Sequence, residues 1–148
     1  MKLPEFNDQG DLPSGVHQAT LSEVIERFGV RTTRRQVLAL RLERIHQLAS
    51  ATGHLARFIV FGSFITIKLE PNDVDIFMLM EDTFDYDQLS GETRLLFDHP
   101  TAQTHFGSSV FWVRRLAALG GEQVTIEHWQ IKRNGDLRGI VEIIPEAE

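Results

Sequence analysis

At 148 residues, with 42% apolar and 24% charged side chains, the chain has room for one globular domain with a real core and too little for two. The absence of cysteine excludes a disulfide framework and a thiolate zinc site. A net charge of -6 weighs against a dedicated duplex-DNA binder, and no apolar run approaches membrane-spanning length, so a cytoplasmic protein is expected.

Residues 1–19 are acidic and rich in Pro and Gly, with no periodicity and no apolar leader-type run; they read as an irregular arm on a single domain spanning 20–148. Thr20 and Glu23 form a capping box for a short helix through Val24, Ile25 and Phe28 that stops at Gly29. The strongest helix signal covers 33–51, where Leu38, Leu42, Ile45 and Leu48 or Ala49 make one apolar stripe. Thr33 and Gln36 read as its capping box, and Arg34, Arg35, Arg41 and Arg44 as its solvent face.

Runs 58–61 and 74–80 have the length and the β-branched or aromatic content of interior strands. Beyond them, Tyr86, Leu89, Leu95, Leu96 and Phe97 predict a helix interrupted at Gly91. Residues 99–104 read as a loop, 110–113 as a third strand and 114–119 as a short helical piece. Asn134-Gly135-Asp136, between 124–133 and 137–144, predicts a closing β-hairpin. The expected class is therefore α/β of the α+β kind: a small mixed β-sheet, helices packed mainly on one side, and a terminal hairpin.

Charge is unevenly placed along this order. Between Arg27 and Arg57 there are seven arginines and one acid, Glu43, whereas between Lys68 and Asp98 there are nine acids and two bases. This reads either as two solvated faces or as a basic helix open to RNA or an acidic partner, beside an acidic cleft that needs a metal before phosphate can enter.

The stretch richest in chemistry runs from 58 to 80. Gly62-Ser63 ends the first strand, and Asp73 and Asp75 open the second two residues apart, so in an extended chain their side chains leave the same face. Paired carboxylates beside a glycine corner suit a divalent cation and a phosphate. The plain alternatives are a tight turn with a capping serine, and an Asn-Asp turn in which only Asp75 faces the sheet edge. Lys68 is either a phosphate contact or a solvated lysine.

Gly62-Ser63 followed after nine residues by Asp73-Val74-Asp75, each beside a hydrophobic run, resembles the nucleotidyltransferase superfamily that includes DNA polymerase beta, poly(A) polymerases, kanamycin nucleotidyltransferase and minimal nucleotidyltransferase antitoxins. That resemblance covers roughly residues 33–113. More narrowly, Leu12-Pro13-Ser14-Gly15-Val16-His17, Gly62-Ser63-Phe64-Ile65-Thr66 and Arg138-Gly139-Ile140-Val141 look like a group of bacterial proteins related to that superfamily and without a defined activity.

The resemblance implies a nucleotidyltransferase-like fold and magnesium-dependent transfer of a nucleoside monophosphate from a nucleoside triphosphate to a hydroxyl of a protein, RNA or small molecule. Gly62 and Ser63 would take the phosphates, with Lys68 beside them, and Asp73 and Asp75 would ligate the metal. The size of the chain implies an acceptor held by a protein partner or a second copy, as in the antitoxin-like members. RNA could instead meet the Arg34–Arg44 helix face. The family's third carboxylate aligns with Ser109, which can neither supply that charge nor act as a comparable base. Glu127 and Asp98 are the candidates to replace it. The alternative is a catalytically degenerate relative that binds nucleotide or serves as an interaction protein.

The six histidines show no metal-binding helical spacing, and no nucleophile elbow occurs. Trp112 and Trp129 read as core-filling residues.

Overall fold

Continuous burial along two central strands, over 58–60 of β2 (Leu55–Phe61) and 76–80 of β3 (Asp75–Met80), sets the layout of the computed structural model, which describes residues 3–146. Met1 and Lys2 of the expected arm, and Ala147 and Glu148 of the expected domain, lie outside the described residues. With β1 (Val16–Thr20), β4 (Ser109–Arg114) and β5 (Ile140–Ile144), these strands form one mixed sheet in the order β1-β5-β2-β3-β4. β2 runs antiparallel to both β3 and β5; β1 is parallel to β5, and β3 to β4.

Five α-helices lie among the described residues: α1 (Leu21–Phe28), α2 (Thr33–Ala51), α3 (Gly91–Leu96), α4 (His99–Phe106) and α5 (Glu122–His128). Phe58 and Val60 of β2, Ile76, Met78 and Met80 of β3, and Val110 of β4 join the apolar faces of α1 to α4 in the main core. The opposite parity, with Ile59, Phe77, Leu79 and Ile140, packs under Ile126 of α5 in a smaller cluster. The helices therefore lie mainly on one side, as expected. Among the described residues no helix is long and apolar enough to cross a membrane.

Several elements differ from the sequence-based expectation. The expected arm contains β1, and its 12–15 segment is tied to the approach to β5 by Gly139 N to Leu12 O (2.9 Å) and Ile140 N to Gly15 O (3.0 Å). The expected loop at 99–104 is α4, because Pro100 sits in the first turn, where its missing N–H costs nothing. The expected helix over 86–97 is a 3-10 turn at Tyr86–Gln88 followed by α3, which begins at Gly91. The first arm of the expected hairpin is largely α5, and a single antiparallel bridge, Ile131 to Leu137, spans the Asn134-Gly135 turn.

On α2 the N-cap is Thr32, whose hydroxyl accepts from Arg35 N, rather than Thr33. Arg35 does not belong to the solvent face. It is 2% exposed and lies three residues before Leu38 on the buried stripe. Arg34 and Arg44 of that face are paired with Glu70 and Glu92.

Candidate functional site

The end of β2 and the start of β3 meet at residues 61–75. Phe61 pairs with Asp75 across the antiparallel ladder, and Asp75 pairs with Ser109 across the parallel one, so the three share one sheet face. Asp73, two residues earlier, accepts a weak hydrogen bond from the Ser109 hydroxyl at 3.4 Å. The chain thus brings Asp73, Asp75 and Ser109 together beside Gly62.

Gly62 has φ +83° and is buried. A Cβ there would overlap the Asp75 carboxylate, with Oδ2 inside contact distance and Cγ at 3.0 Å. Only glycine combines that backbone with so close a neighbour. Ser63 opens the 3-10 turn Ser63–Ile65, and its carbonyl accepts from Thr66 N (3.1 Å) and Thr66 Oγ1 (2.7 Å).

The corner is held from beneath by Arg35. Its Nη1 donates to Phe28 O (2.9 Å) and Phe64 O (2.6 Å), Nη2 to Thr66 O (2.8 Å) and Lys68 O, and Nε to Lys68 O (3.0 Å). A single guanidinium therefore satisfies four main-chain carbonyls, three of them in the segment after Gly62. Burial pulls its pKa down, with the nearby charge of Arg31 acting the same way. The Lys68 residue is exposed, and its carbonyl accepts from the Arg35 guanidinium.

Electrostatically the pair is expensive. Burial, then the Asp73 charge and a hydrogen bond to Asp73, push the Asp75 carboxyl up to about 7, against the smaller opposing pull of Arg138 and Ser109. Two carboxylates that interact this directly share a proton or require a cation. Their hard oxygen donors, with a hydroxyl alongside, fit magnesium, which takes one or two protein carboxylates and completes its shell with water and phosphate. Among the described residues no group of three or more His, Asp or Glu is arranged to hold a metal by itself. Glu127 is exposed on α5 and accepts from Gln123, and Asp98 is exposed and accepts from Thr101; neither forms such a group with the pair.

Two charged residues of this neighbourhood escape notice in the sequence. Arg138, in the approach to β5, lies close enough to Asp75 to lower its pKa. Asp11, 5% exposed, holds Lys132 at 3.0 Å and Arg138 at 3.7 Å. Arg138 stands in the Arg138-Gly139-Ile140-Val141 segment that carries the narrower resemblance, and that was the available signal. The groove of about 430 Å³ lined by His54, Thr83, Phe84 and Asp85 lies past the other end of β3 and holds a carboxylate with no lysine or arginine, so it does not compete as a phosphate site.

No curated protein and no solved structure matches the chain. A model described as "Family of unknown function (DUF6932)" matches residues 4–144, which is nearly the whole length, and the chain belongs to that family.

Proposed function

We propose that this protein is nucleotidyltransferase-like and binds a nucleoside triphosphate together with magnesium at Asp73 and Asp75. The observation that carries the reading is the packing of the Asp75 carboxylate against Gly62 with the Asp73 carboxylate beside it, which supports taking the Gly-Ser corner and the acid pair as one site. Magnesium would neutralise the phosphates and polarise the α-phosphoryl group.

The remaining work falls to the chain. Asp73 and Asp75 supply the anionic oxygens, and Arg138 adds a cation at the rim for the triphosphate. The Ser63 hydroxyl is available to phosphate oxygens, and Arg35 keeps the 62–68 backbone in place. In the transfer reaction an acceptor hydroxyl attacks the α-phosphorus, the bond to the β-phosphate breaks and pyrophosphate departs. The hydroxyl proton needs a base. The acceptor would be held by a partner protein or a second copy, as the resemblance to antitoxin-like members implies.

Ser109 favours a second reading. It stands beside both carboxylates where a third acid would complete the site, and a hydroxyl is a poor base at neutral pH. Under this reading nucleotide is held and NMP transfer is slow or absent. Incubation with α-labelled nucleoside triphosphate separates the two. Retention of label that a chelator reverses supports binding, label made covalent on an added acceptor supports transfer, and the absence of both contradicts the proposal.

A further inference from the structure

The face that carries the carboxylates also carries a patch of rings. Strand register sets two rows side by side: Phe61, Asp75 and Ser109 in the first, Ile59, Phe77 and Phe111 in the second. Trp129, just past α5, lies across them, its ring 4.6 Å from Phe61, 5.0 Å from Phe111 and 5.2 Å from Phe77 between centroids. His99, at the start of α4, stacks on Phe111 at 4.5 Å with the planes 28° apart, and its Nδ1 donates to Val110 O at 3.0 Å.

Core formation accounts for Phe77, which is buried. Phe61, Phe111 and Trp129 pack against the same small core cluster, yet they and His99 each keep part of their surface in solvent. The indole N–H of Trp129 is buried and meets no acceptor among the described residues, so packing rather than hydrogen bonding fixes the ring. Adjacent strands are about 4.8 Å apart and successive residues about 3.3 Å. Phe61 therefore lies one strand from Asp75, and Phe111 one strand and two residues away, both within the reach of one nucleotide.

We infer that Phe111, Trp129 and His99 form a stacking platform for the nucleobase of a nucleotide whose phosphates lie toward Asp73 and Asp75. The inference rests on the nucleotide reading above and adds to it the part of the protein that takes the base. Aromatic faces stack any base, so the platform selects for a nucleobase rather than for one particular base.

The test compares a nucleoside triphosphate with inorganic triphosphate, both with magnesium. Calorimetry should show the nucleotide binding about tenfold tighter or better. Phe111→Leu should remove that advantage while leaving inorganic triphosphate unchanged. A second measurement does not depend on that variant folding. In Trp112→Phe protein, where Trp129 is the remaining one of two tryptophans, the nucleotide should quench emission and inorganic triphosphate should not. Equal affinities with no differential quenching would overturn the platform and leave the phosphate site standing. Failure of both ligands to bind would overturn the phosphate site and the platform with it.

Discussion

Replacing Arg35 with methionine removes the guanidinium that hydrogen-bonds the 62–68 segment to α2. Five N–H donations, to the carbonyls of Phe28, Phe64, Thr66 and Lys68, are lost, and of these residues only Lys68 is exposed to water while the site stays packed. Hydrogen bonds from a charged donor contribute about 1.5–3 kcal/mol each, offset in part because the guanidinium no longer has to be desolvated. The net loss should be about 3–5 kcal/mol, the scale seen when one partner of a buried charged contact is removed. Against a typical total of about 5–15 kcal/mol, that is a large share of the stability. Arg35→Lys keeps the charge and three donors but not the planar fork, so it should lose about half as much. Urea denaturation followed by circular dichroism measures both. A methionine variant within about 1 kcal/mol of wild type, or lysine and methionine variants equal to each other, would refute the role assigned to the guanidinium.

Gly62→Ala should destabilise by about 2–4 kcal/mol, from a positive φ and the overlap with Asp75, and the loss should shrink when Asp75→Ala is also present, as a double-mutant cycle by thermal unfolding will show. Ser109→Asp adds a third negative charge beside two others, so the melting temperature should fall in chelator and recover in magnesium; calorimetry should show tighter magnesium binding than in wild type. Between its ordinary 3.8 and about 7, Asp75 keeps a proton in the folded chain that the unfolded chain has released. In chelator, stability should therefore fall as pH rises across that window and level off above it, and Asp75→Asn should flatten the slope in urea titrations at several pH values.

Where periodicity alone decides, the chain was legible. The α2 stripe of Leu38, Leu42 and Ile45 and the two central strands follow from spacing. Arg35 occupies the same stripe, but a charged residue type argued for solvent; what overrides it is a set of main-chain carbonyls contributed by a segment about thirty residues away. The helix at His99–Phe106 was hidden by a proline that is harmless in a first turn. Val124 and Ile126 alternate like a strand, yet Ile126 caps the small cluster as part of α5, a choice that a run of this length leaves to tertiary packing. Arg138 reaches the site through β5 and through Asp11, and contacts between distant segments leave no mark in local pattern.

The central claim is that Asp73 and Asp75 with the Gly62 corner form a metal-dependent nucleotide site. The most direct measurement is a calorimetric titration of wild type and Asp75→Ala with a nucleoside triphosphate, each with magnesium and again with chelator. Wild type should bind in magnesium and not in chelator, and Asp75→Ala should bind in neither condition while remaining folded by circular dichroism. Unchanged binding by folded Asp75→Ala, or no binding by wild type in magnesium, would contradict the account.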